Sequence, residues 1–165
     1  MAGAHYDVAI IGGGPAGSIA ATSLSLAGHK VAVFEREKFP RFHIGESLLP
    51  FSMEAFERLG IMPKLEAAGF VQKHGAEITS GCGHGEIRFY FRDGFRSRRS
   101  TAFQVERSRF DKILLDHARE CGAQVREQVS VEDLALRWRI WLFHPIVGLQ
   151  RVFPISPRLP LAPSA

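Results

Sequence analysis

The apolar positions along this chain change period several times, and each change marks an element. Tyr6-Asp-Val-Ala-Ile-Ile11 is a short apolar run that ends at a glycine cluster, the pattern of a buried strand. A helical stretch then runs to Gly28, and Lys30-Val-Ala-Val-Phe-Glu35 forms a second strand ending on an acid. A loop punctuated by Pro40 and Gly45 follows. The next helix is expected from Glu46 to about Leu59, with Met53, Phe56 and Leu59 at helical spacing and Gly60 as its stop. Pro50 is tolerated there only near the helix start. A short helix around Pro63–Ala68 ends at Gly69.

Residues 70–105 read as extended. One strand is expected from Phe70 to Ile78, a second over Glu86–Phe91 and a return strand over Ser100–Val105, with Asp93-Gly94 as the hairpin turn between the last two. The best-defined helix covers residues 108–121. Ser108 with Asp111 three positions later resembles a capping box. Phe110, Ile113, Leu114, His117, Ala118 and Cys121 then share one face, and Gly122 stops the helix. Gln124–Val129 is a further short strand.

The pattern changes near residue 134. From Leu134 onward there is no Asp, Glu or Lys, while Trp138, Trp141 and five of the nine prolines fall here. Two readings stand: a flexible, partner-binding tail, or residues that do not naturally continue the domain, as after a frameshift. The abrupt loss of acids favours the second. The expected organisation is therefore a domain over residues 1–133 and an irregular tail over 134–165.

Charge follows the same division. The net charge of +4 would suggest a nucleic-acid partner, but residues 1–136 hold 17 basic and 17 acidic side chains. The excess lies in Arg137, Arg139, Arg151 and Arg158, so the basic pI describes the tail and no nucleic acid is expected as partner. Arg96, Arg98 and Arg99 read as a solvated hairpin edge. No apolar stretch reaches the ~20 residues that span a bilayer, and no signal peptide is evident, so a cytoplasmic protein with no membrane partner is expected. Cys82 and Cys121 form neither a disulfide framework nor a metal pattern, Cys82-Gly-His84 is too short for structural zinc, and no metal site is expected. His117, on an apolar helix face, reads as a satisfied core histidine. His43 sits in the loop after the second strand, where a loop role is open.

The chemistry concentrates at the first turn. Gly12-Gly13-Gly14-Pro15-Ala16-Gly17 is G-x-G-x-x-G between a strand and a helix, and Glu35 ends the next strand 23 positions after Gly12. Gly12 serves the tight turn, Gly14 lets backbone approach a pyrophosphate, and Gly17 lets the helix pack on the strand. The helix N-terminus directs free N–H groups at phosphates, and Pro15 suits the first helical turn. Glu35 can accept hydrogen bonds from a ribose and would repel a 2′-phosphate, so a dinucleotide other than NADP is expected.

Together with that unit, Phe39-Pro-Arg-Phe-His-Ile-Gly-Glu-Ser-Leu-Leu-Pro50 resembles flavin-dependent halogenases and, more broadly, FAD monooxygenases and geranylgeranyl-reductase-like oxidoreductases. Phe70-Val-Gln-Lys-His-Gly-Ala76 and Gln104-Val-Glu-Arg-Ser-Arg-Phe-Asp-Lys-Ile-Leu-Leu115 continue the likeness, which covers about residues 5–133. The resemblance implies an α/β, Rossmann-like FAD-binding fold of the FAD-monooxygenase type, truncated here, with FAD as cofactor. It places Gly12, Gly13, Gly14, Pro15, Ala16, Gly17, Glu35 and Arg36 at the ADP part of FAD. It places Arg41, Gly45, Glu46 and Ser47 beside the flavin, and Arg107 at a cofactor contact that could equally be a capping or surface arginine. Lys73 matches the halogenases' active-site lysine, which delivers oxidised halogen to an electron-rich aromatic substrate. A separate reductase would supply reduced flavin.

The likeness has departures. Trp138-Arg-Ile-Trp141 has the wrong spacing and position for the halogenases' Trp-x-Trp-x-Ile-Pro motif, and their late Gly-Asp FAD segment has no counterpart. An incomplete chain is therefore expected. A hydroxylase or reductase on the same fold, an inactive nucleotide-binding fragment, and half of an NAD-dependent dehydrogenase remain alternatives.

Overall fold

A computed structural model describes residues 5–83, 85–94 and 99–132. Those up to Val131 belong to one unit, and Glu132 begins a second. The expectations for the 134–165 tail, for Arg96, Arg98 and for His84 lie outside the described residues.

The organising element is a three-stranded parallel sheet in the order β1-β2-β7, from β1 (Val8–Ile11), β2 (Val31–Glu35) and β7 (Gln124–Glu127). Val8 pairs with Val31 and Ala32 with Gln124 at the starts of the two ladders. Helix α1 (Pro15–Leu26) connects β1 to β2, and α4 (Arg107–Glu120) leads into β7. This is half of a doubly wound fold, in which parallel strands require helical crossovers. Helices α1 and α4 pack against each other. β2 is buried along nearly its whole length, as a central strand should be. β1 departs from the expectation of a fully buried strand: Val8 and Ile10 face inward while Ile11 is exposed. Only one face of β1 is covered among the described residues.

Everything between β2 and α4 is an insertion with its own core. It contains α2 (Pro50–Arg58), α3 (Met62–Ala67), β3 (Val71–Lys73), β4 (Gly75–Thr79), β5 (Glu86–Tyr90) and β6 (Ala102–Gln104). Met53, Phe56, Ile61, Leu65, Phe70 and Phe103 pack there around Phe110 and Leu114 of α4. Leu115 and Ala118, on the adjacent side of the same helix, enter the other cluster with Val31, Val33 and Phe39. Helix α4 therefore serves both cores; of its predicted face Phe110, Leu114, His117 and Ala118 are buried, Ile113 and Cys121 only partly so, and Asp111 and Leu115 are buried in addition. His117 is a core histidine whose Nε2 lies 2.8 Å from the Leu59 carbonyl.

Three expectations are corrected. The second helix starts at Pro50 rather than Glu46, because a proline at the first helical position holds the preceding Leu49 extended (φ −116°, ψ 152°). Residues 46–48 instead run beside β6, where Val105 N–H donates to Glu46 O at 2.8 Å and Leu48 N–H to Phe103 O at 3.0 Å. The single strand Phe70–Ile78 is two strands that change partner at His74. β3 pairs with β6, and β4 pairs with β5. Gly75 makes the change possible, since a Cβ there would lie 2.2 Å from the Phe89 carbonyl oxygen. Asp93-Gly94 is consequently no hairpin turn. Phe91–Asp93 is a turn of 3₁₀ helix, and the hairpin is β4–β5, closed by Ser80 N–H to Gly85 O at 2.8 Å.

The capping box is also corrected. Glu106 is the N-cap, Ser108 Oγ donates to its carboxylate, and Asp111 is wholly buried against Arg107. Arg99, expected to be solvated, pairs with Glu57 of α2.

One ion-paired site links β7 to the loop after β2. Glu127 Oε1 accepts the Phe39 N–H at 2.6 Å, and Oε2 accepts from Arg119. Burial alone would raise the Glu127 pKa, but the Phe39 N–H and Arg119 outweigh it and hold the carboxyl below its ordinary value. Because the folded pKa is depressed, this stabilisation is present above about pH 4.3 and is lost as pH falls through the folded value. Melting temperatures recorded through the acid range should therefore fall, and Glu127→Gln should flatten that part of the profile while lowering stability near neutral pH.

Candidate functional site

The site forms where β1 and β2 end. Gly12 turns the chain with φ +100°, and its N–H donates to Phe34 O at 2.8 Å. Gly14 caps α1 and Pro15 begins it. Ser18 Oγ donates to Gly13 O at 2.8 Å and secures the turn to the helix. A Cβ on Gly17 would stand 1.9 Å from the Gly12 carbonyl oxygen, so helix and strand approach closer than any other residue permits. The first-turn N–H groups of a helix have no intrahelical acceptor and carry its positive dipole end. Ala16 is exposed within that first turn.

Glu35 is only 4% exposed. Its Oε2 accepts the Gly13 N–H at 2.6 Å and its Oε1 the Glu37 N–H at 2.9 Å. The acid therefore clamps the glycine turn, a contact the sequence reading did not include. It also lines a cavity of about 370 Å³ with Gly12, Gly14, Arg36, Glu37, Arg41, His43 and Val129–Val131. The Val129–Val131 lining was missed as well. It follows once β7 is known to be the third parallel strand, because ligands of such sheets lie beyond the carboxyl ends of the strands. Arg36 is mostly exposed and lies 3.5 Å from Glu37.

Arg41 carries the electrostatics. Its side chain is 11% exposed, and the guanidinium lies 4.7 Å from the centroid of the Phe39 ring. Glu37 is 3.7 Å from Nε, and Asp111 is 4.0 Å from Nη1. Both nitrogens are buried without a hydrogen-bond partner among the described residues. Buried donors are ordinarily satisfied, so this guanidinium has donors to spare that an anion could take. With the helix N-terminus and the ribose-competent Glu35 on the same cavity, these residues fit the ADP end of a dinucleotide.

The second part of the site is the loop after Arg41. A cavity of about 510 Å³ is lined by Phe42–Ser47 and Gln104. Arg107 ties this loop to α4. Its Nε and Nη2 fork onto Asp111 at 2.7 and 2.9 Å, and its Nη1 donates to Ile44 O at 2.7 Å. The Asp111 hydrogen bond raises the Arg107 pKa further. Ser47 bridges to Gln104 of β6. Lys73, at the end of β3, donates to Ser47 Oγ and to Leu48 O at 3.4 Å, with its ammonium 5.3 Å from the Phe91 ring centroid. The loop and the lysine, 26 positions apart in sequence, meet because β3 and residues 46–48 both pair with β6. Among the described residues no group of His, Cys, Asp or Glu could hold a metal ion, and no helix is long and apolar enough to cross a membrane.

Comparison with known proteins agrees with this geometry. The chain is 42% identical over 150 residues to the 1H-pyrrole-2-carbonyl-[peptidyl-carrier protein] chlorinase of Pseudomonas fluorescens, covering 81% of this chain and 33% of that protein. It thus spans about a third of that curated relative's length. Among solved structures it is similar to a flavoprotein/dehydrogenase from Cytophaga hutchinsonii (42% identity, TM-score 0.73, 79% of this chain and 32% of that one). It is also similar to the flavin-dependent halogenase CmlS (43% identity, TM-score 0.72, 79% of this chain and 24% of that one). The α/β unit is the Rossmann-like FAD-binding fold expected from the sequence. Residues 5–135 match the family described as FAD binding domain, and the chain belongs to that family, whose cofactor is FAD.

Proposed function

We propose that this chain is the cofactor-binding front of a flavin-dependent halogenase acting on an electron-rich aromatic ring. The observation that carries the reading is the meeting of Lys73 with Ser47. The two segments that most resemble halogenases converge on one spot although they belong to different elements. The 42% identity to a pyrrolyl chlorinase supports the same assignment and, among electron-rich rings, favours a pyrrole-like substrate.

In this reading Gly12–Gly17, Glu35 and Arg36 hold the ADP part of FAD, and Gly45, Glu46 and Ser47 pass beside the flavin; Arg41, which the resemblance places beside the flavin, is assigned instead to the phosphates because it lines one cavity with Gly12, Gly14 and Glu35. FAD, when bound and reduced by a separate reductase, supplies the electrons with which O₂ converts halide to an electrophilic halogen oxidant. The chain's own contribution is the Lys73 ammonium, held by Ser47 Oγ and Leu48 O. An ammonium so held can hydrogen-bond the oxidant and present it to the ring, the part that needs a fixed, directional donor.

The test grafts residues 1–132 onto the downstream two-thirds of the Pseudomonas relative and supplies reductase, halide and a pyrrole substrate. Lys73→Ala should abolish halogenated product, by at least about a hundredfold, while reduced FAD is still reoxidised. Product formation that survives this substitution rules out the lysine role. A hydroxylated product in its place would favour the monooxygenase reading.

A further inference from the structure

One buried carboxylate has no part in the contacts proposed for FAD. Asp111 is 0% exposed, sits in the first turns of α4, and lies against two arginines from different segments. Arg107 forks onto it with both bonds in the charge-assisted range. Arg41 Nη1 stands 4.0 Å from its Oδ2, the oxygen that also accepts from Arg107 Nη2. Arg107 in turn donates to Ile44 O and, at 3.4 Å, to Gly45 O. One carboxylate thus stands between the rigid helix and both ends of the Arg41–Gly45 segment. Two guanidinium groups share it, with Glu37 3.7 Å from Arg41 as the other nearby acid, and among the described residues Arg41 Nε and Nη1 have no hydrogen-bond partner.

We infer that Asp111 is the positioning residue of the cofactor site. It orients Arg107 as a strut that fixes the Ile44–Gly45 backbone, and it serves as the buried counter-charge that holds Arg41 beside the glycine turn without saturating it. The arithmetic of donors supports this division. Arg107 takes one bond on each Asp111 oxygen, whereas Arg41 Nη1 stands 4.0 Å away, beyond hydrogen-bond reach, so Arg41 receives attraction but no hydrogen bond from Asp111 and remains available to an anion. A phosphate arriving there completes the pairing that Asp111 leaves open. The role rests on the FAD reading of the cavity and assigns Asp111 no contact with the cofactor.

The test uses the full 165-residue chain, titrated with FAD and with ADP over a range of salt concentrations, beside Asp111→Asn and Arg107→Lys. Asp111→Asn keeps the shape and removes the charge, and Arg107→Lys keeps the charge and removes the fork. Both should weaken FAD and ADP by about tenfold or more, and Asp111→Asn should flatten the dependence of affinity on salt, because Arg41 no longer faces the phosphates. Amide hydrogen exchange should rise over residues 41–47 and stay unchanged in β1 and α1. A merely structural role would lower the melting temperature but leave the salt slope and the affinity of the folded fraction intact, and that result overturns the inference. So does an affinity within about twofold of the parent in either variant. If Asp111→Asn does not fold, Arg107→Lys decides by the same criteria. A parent chain that binds neither FAD nor ADP overturns the cofactor reading itself, and the positioning role falls with it.

Discussion

Gly17→Ala should leave a chain that no longer binds FAD and melts far below the parent. The added Cβ would sit 1.9 Å from the Gly12 carbonyl oxygen, and that oxygen belongs to backbone rather than to a side chain that could swing away. Either α1 moves off β1 or the turn at Gly12 opens. Both routes disturb the N-terminus of α1 and the Gly13 N–H that Glu35 holds. Overpacking a well-fitted contact costs typically about 1–3 kcal/mol, and a backbone clash this short belongs at the upper end or beyond. Against a total stability of about 5–15 kcal/mol, such a loss is large. Thermal melts followed by circular dichroism, with FAD titration of whatever remains folded, check it. A Gly17→Ala chain that melts and binds like the parent would show that helix and strand are not packed this closely.

Arg41→Gln should separate affinity from stability. In the parent, Arg41 Nε and Nη1 are buried without hydrogen bonds among the described residues, a cost that a bound anion would remove. Substituting glutamine deletes the charge that meets the phosphates, and FAD should weaken by about 2 kcal/mol or more, roughly thirtyfold in Kd. The ligand-free chain should lose less stability than affinity, because Arg41 Nε and Nη1 make no hydrogen bond among the described residues and its contacts with Glu37 and Asp111 are only long-range. Asp111 keeps its fork from Arg107, so it is not orphaned by the change. Equal losses in affinity and in ligand-free stability would instead make Arg41 an ordinary structural arginine.

What was legible in the sequence was local. The glycine turn, α1, β2 and Glu35 lie within one βαβ unit, where spacing brings the acid beside the turn, though not the Glu35–Gly13 hydrogen bond itself. The face of α4 was legible because its apolar positions repeat with the helix. Strand pairing was not, since β3 and β4 are adjacent in sequence yet join different partners, and only the approach of Gly75 to Phe89 reveals the break. Asp93-Gly94 misled because a turn dipeptide says nothing about which strands it joins. Asp111 misled for a related reason. It lies three residues after Ser108, the offset of a capping box, and four after Arg107, the offset of a helical ion pair, and burial decides for the pair. Lys73 and Ser47 were each singled out by resemblance, but their contact needed β6 between them. Glu127 carried no signal, because its partner Phe39 lies 88 positions away.

The glycine turn, Glu35 and Arg41 are proposed to hold the ADP end of FAD. Competitive titration of the purified chain with FAD, ADP and FMN tests it most directly. FAD and ADP should compete for one site with similar affinity, and FMN, which lacks the adenylate, should not displace either. Binding of FMN as tightly as FAD, or failure of ADP to compete, would contradict it.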